Sequence, residues 1–333
     1  MIQHIVNISG GKDSTACYLL ALQRGVPFRA VMADTGNEHP VTIEYAERLA
    51  ERTGGPQVEI YRADFSERMA KKRAYIAAHW PAKGVPQAVV DRAIAVLQPT
   101  GIPFLDLCLW KGRFPSRRAQ FCTEFLKSEP IGKQVIDPAR RAGPVVQWLG
   151  VRRAESLARR NAPMWQTVRT PGLHAMRFYR PLINWSAENV FGYAAAHGLD
   201  PNPLYLQGMG RVGCFPCINA SKGEIRAIAL RFPEAIDRIA EWEAICAESS
   251  KRGCGTFFAA DVTPEGAALA KQISRIEDRE ARNAASATTQ WPTARQVADW
   301  ARTDRGGRQF NLLDAAFAED EALSCSSQYG LCE

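Results

Sequence analysis

The stretch Ile2-Gln3-His4-Ile5-Val6-Asn7-Ile8-Ser9-Gly10-Gly11-Lys12-Asp13-Ser14-Thr15-Ala16-Cys17 decides how the rest of the chain is read. Ile2–Ile8 is strand-like, and Thr15 to Arg24 has helical spacing that Gly25 and Pro27 stop. A glycine turn lies between them. Gly10 and Gly11 let the backbone bend tightly and approach a ligand. N–H groups at the start of the following helix point at that position and favour an anion there. Lys12 adds a point charge and Ser14 a hydroxyl donor. The combination predicts a phosphate site over Ser9, Gly10, Gly11, Lys12, Asp13 and Ser14. It is not the other common phosphate loop, which needs four residues between its glycine and its Gly-Lys-Ser/Thr.

Outward from this loop the pattern repeats. Phe28–Ala33 is a second short apolar strand ending at Asp34-Thr35-Gly36. Val41 to Arg52 has helical spacing and closes with Gly54-Gly55, and Val58–Tyr61 is a third strand ending near Asp64. Strand, helix, strand, helix, strand predicts an α/β fold: a doubly wound, mostly parallel sheet with helices on both faces. Ligands of such sheets bind at the carboxyl ends of the strands, where Ser9–Ser14, Asp34 and Asp64 fall. Further on, Phe65–His79 and Gln87–Leu97 read as helices, Trp110–Arg118 as a basic loop and Val145–Leu149 as a strand. Ala187–His197 reads as a helix capped by Ser186 and ended by Gly198. Glu224–Arg231, Pro233–Glu248 and Ala267–Ala284 form a helical C-terminal extension, and the small, polar residues after Ala322 predict a mobile tail.

Composition bounds the function. The chain has 333 residues, 46% of them hydrophobic, which suits a globular protein with a real core. No apolar run approaches the ~20 residues that span a bilayer. The first residues lack the basic start and apolar stretch of a leader, so a cytoplasmic location and no membrane partner are expected. The formal charge of +7 is compatible with a polyanionic partner such as DNA or RNA; arginines that are simply solvated are the alternative. Arg140 and Arg141 are read as solvated. Nine cysteines are many for a reducing compartment, where clusters point to metal or redox chemistry. Cys17 and Cys246 sit on apolar helix faces and read as core residues. Cys214 and Cys217 form a C-x-x-C pair in a loop with Gly213 and Pro216, which suits a metal knuckle.

Ser-Gly-Gly-Lys-Asp-Ser resembles the loop of ATP pyrophosphatases, the adenine nucleotide alpha-hydrolase type, which break ATP between the α- and β-phosphates. Other blocks narrow the resemblance: Asp34-Thr35-Gly36, Cys122-Thr123-Glu124 through Lys127 to Pro130, Gly150-Val151-Arg152-Arg153 through Ser156 with Arg159, Arg180-Pro181-Leu182, Asn184-Trp185-Ser186, Asn202-Pro203-Leu204-Tyr205, Gly208 and Gly213–Cys217. In order and spacing they are similar to the phosphoadenosine phosphosulfate reductase family over residues 1–222. A region at about 70–120 reads as an insertion, and 223–333 as a helical region with a cysteine-containing tail.

The resemblance implies nucleotide binding by Ser9, Gly10, Gly11, Lys12, Asp13, Ser14, Asp34, Gly36, Gly150, Arg152 and Arg153. It implies substrate or phosphate contacts by Lys127 and Arg159, and catalytic roles for Lys12, Asp13, Ser14 and, on the tail, Cys332. Cys122, Cys214 and Cys217, with Cys325 first among several fourth ligands, would hold a [4Fe–4S] iron–sulfur cluster; zinc and a bare redox pair are the alternatives. ATP, or an adenylyl sulfate-type nucleotide, and Mg²⁺ complete the cofactors.

Two departures from the reductases favour ATP chemistry. Their phosphate loop is commonly degraded, and here it is intact. Their iron–sulfur members carry adjacent paired cysteines, whereas here Thr123 follows Cys122. In both respects the chain is similar to the sulfur-transfer enzymes of DNA phosphorothioation. The expectation is therefore an enzyme that cleaves ATP to AMP and pyrophosphate to activate an acceptor for sulfur transfer. A sulfur-donor protein and a nucleic-acid acceptor are its expected partners, and oligomerisation is left open. The alternatives are sulfonucleotide reduction to sulfite and a non-catalytic nucleotide sensor or nucleic-acid adaptor.

Overall fold

A six-stranded sheet in the order β3-β2-β1-β4-β6-β5 organises the computed structural model, in which residues 2–305 are described. The strands are β1 Gln3–Ile8, β2 Phe28–Asp34, β3 Val58–Arg62, β4 Val145–Trp148, β5 Trp165–Val168 and β6 Met176–Tyr179. All neighbours run parallel except β5, which pairs antiparallel with β6 at the edge. The inner strands are apolar on both faces because helices cover both. Alternation sends Val6 and Ile8 to one side and Ile5 to the other. Val6 and Ile8 pack with Met32 and Trp148 against helix α1 (Lys12–Gln23), the helix Pro40–Glu47 and the helix Ala187–Ala196. Ile5 packs with Val31, Val145 and Phe178 against Ile131, Val135, Ile136 and Ala139.

The chain divides into two compact units. The first contains residues up to Ala63 together with Cys122–Cys217, and holds the whole sheet. The second joins Asp64–Phe121 to the described residues from 218 to 305 and is helical. The stretch read as an insertion thus belongs to the same unit as the C-terminal helices. Among the described residues no helix is long and apolar enough to cross a membrane.

Several element boundaries differ from the sequence reading. Val41–Arg52 is two helices, Pro40–Glu47 and Leu49–Thr53, the second closed by Gly54 at φ +69°. Ala267–Ala284 is also two, Pro264–Ser274 and Arg279–Thr288. The break falls where Asp278 turns back, its carboxylate accepting the Ala281 N–H at 2.6 Å as an N-cap. Pro103–Lys111 is a helix, and the run from Thr123 to Ala142 is continuously helical with π-type turns. Arg140 is not solvated: it is buried, and its Nε donates to the His174 carbonyl at 2.9 Å. Cys17 and Cys246 are buried as expected, and burial pushes the Cys246 thiol up to about 12.

Candidate functional site

The order of the strands creates the site. β1 has β2 on one side and β4 on the other, so the connections leave β1 in opposite directions. Open α/β sheets bind ligands outside the carboxyl ends of the strands at such a switch point, here the ends of β1 and β4. The loop Ser9–Gly11 ends β1 and leads into α1. Gly10 has φ +77°, and a Cβ there would stand 2.5 Å from Thr42 Cγ2 and 2.9 Å from the Thr42 carbonyl oxygen, so both backbone and space require glycine. Gly11 is the N-cap of α1 and has no side chain to cap it. The loop is held from within: the Ser9 N–H donates to Ser14 Oγ at 3.1 Å, and Ser14 Oγ donates to the Gly11 carbonyl at 2.9 Å. The two serine hydroxyls lie 3.0 Å apart.

Charges converge behind this loop. Asp13 is fully buried between two cations, with Arg152 Nε at 2.7 Å and Lys12 Nζ at 3.1 Å. Such a pair holds its register because either partner alone would leave a buried charge uncompensated. Arg152 follows β4, and its own N–H donates to Glu155 at 2.8 Å, while Glu155 also pairs with Arg159. Arg159 is buried, and its charge adds to burial in lowering the pKa of Arg180, which follows β6. Arg153 points elsewhere. It is exposed and donates to the Ala162 carbonyl at 3.1 Å and to Asn184 Oδ1 at 2.6 Å. Gly150 presses β4 onto the loop: a Cβ there would come within 2.7 Å of the Asp13 carbonyl carbon.

At the end of β2, Asp34 accepts the Gly36 N–H at 2.8 Å and Arg62 Nε at 2.7 Å. Gly36 takes φ +75°. Buried Lys127 lines a small cavity with Ser9, Glu38 and Gly213. Burial raises the carboxyl of Glu38 above its ordinary value, and the charge of Lys127 and the bonds from Thr35 pull it part of the way back.

Glu38 also receives the C-x-x-C loop. Cys214 bridges to it, Sγ to Oε1 at 3.9 Å, and the Phe215 N–H donates to the Asn37 carbonyl at 2.6 Å. Cys122, Cys214 and Cys217 are all partly exposed. Among the described residues no group of three His, Cys, Asp or Glu side chains converges to hold a metal. Cys325 and Cys332 lie outside the described residues.

Three contributors were given no role from sequence, although Asn202 and Tyr205 stand in one of the blocks that carry the resemblance. Tyr205 accepts the Lys12 N–H at 3.1 Å, and its ring lies 5.7 Å from Lys12 Nζ. Asn202 donates to the Gly10 carbonyl at 3.1 Å while capping Leu204 N–H, so the Asn-Pro-Leu-Tyr block is a helix start that clamps the loop. Glu38 is the third. The available signal was an Asn before a Pro, the signature of an N-cap with proline in the first turn.

A glycine loop feeding a helix N-terminus at the switch point of a doubly wound sheet, backed by buried arginines, defines a nucleotide- or phosphate-binding α/β protein. The sequence profile of the phosphoadenosine phosphosulfate reductase domain matches residues 3–89 and 107–220. The chain belongs to that family. It is 43% identical over 343 aligned residues to the "Uncharacterized 37.8 kDa protein in gpa 5'region" of Escherichia phage 186, covering 99% of this chain and 96% of that one. It is 26% identical over 212 residues to the adenosine 5'-phosphosulfate reductase of Allochromatium vinosum, covering 63% and 66%. With that of Neisseria meningitidis it shares 31% over 125 residues, covering 35% and 47%. Among solved structures, the phosphoadenylyl-sulfate reductase of Candida auris aligns at 16% identity and TM-score 0.39, over 64% of this chain and 82% of that one.

Proposed function

We propose that the chain binds ATP at Ser9–Ser14 and cleaves it to AMP and pyrophosphate, activating an acceptor for sulfur transfer. The observation that carries this reading is the intact loop, with Lys12, Ser9 and Ser14 gathered at the N-terminus of α1. An acceptor nucleophile attacks the α-phosphorus, the bond to the bridging oxygen breaks, and pyrophosphate leaves with that oxygen. The loop N–H groups and Lys12 hold the departing charge. Arg152 fixes Asp13, which in turn fixes Lys12. Magnesium, arriving on the nucleotide phosphates, supplies further charge neutralisation. Each of these steps is carried by the loop, its cations and the nucleotide's own phosphates.

The test is product identity. ATP should yield AMP and pyrophosphate in the presence of magnesium, and Lys12→Ala should lower the rate about 100-fold, the scale of removing one preorganised charge contact. Release of ADP and orthophosphate would overturn the proposal. The likeness to named adenosine 5'-phosphosulfate reductases supports a second reading, reduction of a sulfonucleotide to sulfite. Sulfite released from adenylyl sulfate by a thiol donor, and lost in Cys332→Ser, would favour it.

A further inference from the structure

The second unit contains a separate cavity of about 680 Å³. All of its lining residues belong to that unit, so the inference stands apart from the nucleotide reading above. Six cations line it: Lys72, Lys111, Arg113, Arg117, Lys251 and Arg252. Among the described lining residues there is no Asp or Glu.

Elsewhere on the surface several cations are paired with carboxylates. Arg48 sits between Glu44 and Glu51, and Arg295 pairs with Asp237. Around the cavity, Lys72, Arg113, Arg117, Lys251 and Arg252 form no ion pair with a described carboxylate. Like charges gathered in this way repel one another, and a bound polyanion relieves that repulsion. Lys72 is partly buried, and burial lowers its pKa, with the charge of Lys251 adding to the effect.

The imbalance extends beyond the cavity. Residues 64–121 carry ten Lys and Arg against four Asp and Glu, an excess of six in a chain whose total is +7. The charge therefore belongs to one segment and was not diluted over the chain. Aromatic rings are interleaved with it: Lys251 Nζ lies 5.0 Å from the Trp80 ring, Arg113 5.4 Å from Phe121, and Tyr75 is 43% exposed beside Lys72. A basic groove with interleaved rings is how proteins hold single-stranded nucleic acid without reading its sequence. A single small phosphate needs fewer cations than these.

We propose that this cavity binds the phosphate backbone of a single-stranded nucleic acid. The test is fluorescence anisotropy with a labelled oligothymidylate and the full chain, titrated at several salt concentrations. Binding should weaken steeply with salt, because each phosphate contact contributes about −0.7 to the slope of log K against log salt for single strands. Arg117→Glu combined with Arg252→Glu, both exposed positions, should weaken binding ~10-fold or more and flatten that slope. The charge-matched control, Arg48→Glu with Arg295→Glu, should leave it within about twofold. Absence of binding at low salt, a salt-independent affinity, or equal loss in the control would each overturn the proposal. The salt slope of the unmodified chain decides the matter even if the double variant does not fold.

Discussion

A methyl group at position 150 has nowhere to go. The atoms it would meet, the Asp13 carbonyl carbon at 2.7 Å and the Ser14 nitrogen at 2.8 Å, are backbone of the Ser9–Ser14 loop. They cannot rotate aside as a side-chain tip does. Gly150→Ala should therefore cost about 1–3 kcal/mol by overpacking, and displace the loop enough to weaken ATP binding ~10-fold. Gly132→Ala is the matched comparison: its Cβ meets nothing within 4 Å and its φ of −54° is helical, so it should be neutral or slightly stabilising. Thermal midpoints and nucleotide titration of both variants check this; unchanged affinity in Gly150→Ala would remove Gly150 from the site. At this scale the local residues were readable. Lys12 and Ser14 lie in one short loop whose chemistry is written in order. The partner of Asp13 was not, because Arg152 is 139 positions away and only the pairing of β1 with β4 brings it near.

At the scale of elements, Glu243 ties three pieces of the second unit together. From the helix Pro233–Glu248 it accepts the Phe257 N–H and the Ala294 N–H, each at 2.8 Å, the latter at the start of the helix Ala294–Ala301. Burial raises its pKa above 4.5, and the two backbone bonds pull it partly back. The native state thus holds a proton that the unfolded chain has released. Its contribution is fully present below the ordinary carboxylate value and is lost as pH rises through the raised one. Glu243→Gln should remove that fall in stability while losing about 1 kcal/mol at acid pH, since the amide keeps only one acceptor, and the deficit should shrink as pH rises. Urea midpoints across the acid-to-neutral range test this, and identical pH slopes in the two proteins would contradict it. Element type was mostly legible from periodicity, as with Ser66–His79 and Pro233–Glu248. The edge pair of β5 and β6 was not, since strands of four residues carry too little pattern.

At the scale of the molecule, two units share one chain that crosses between them at Ala63, Phe121 and Cys217. ATP at the proposed site should stabilise only the unit that binds it, by about 2.7 kcal/mol at a concentration one hundred times the dissociation constant. Hydrogen exchange measures this residue by residue. Amides of β1, β2 and β4 should gain protection with ATP, and those of the helix Pro233–Glu248 should not. Equal gains in both units would mean that they unfold as a single body.

The sequence by itself determined what depends on neighbours along the chain. It determined the strand, glycine turn and helix of the phosphate loop, the alternation that makes the sheet parallel, and the basic segment of residues 64–121, whose charge is a matter of counting. The family followed from blocks that keep their order. What only the tertiary structure decided depends on distance in space: the burial of Asp13 between Lys12 and Arg152, the clamping of Gly10 by Asn202, and the turning of Arg153 toward Ala162 and Asn184. The physical reason is the same throughout. A side chain's type is set locally, but its partner is set by which strands lie side by side, and hydrogen bonds and ion pairs act only over a few ångströms.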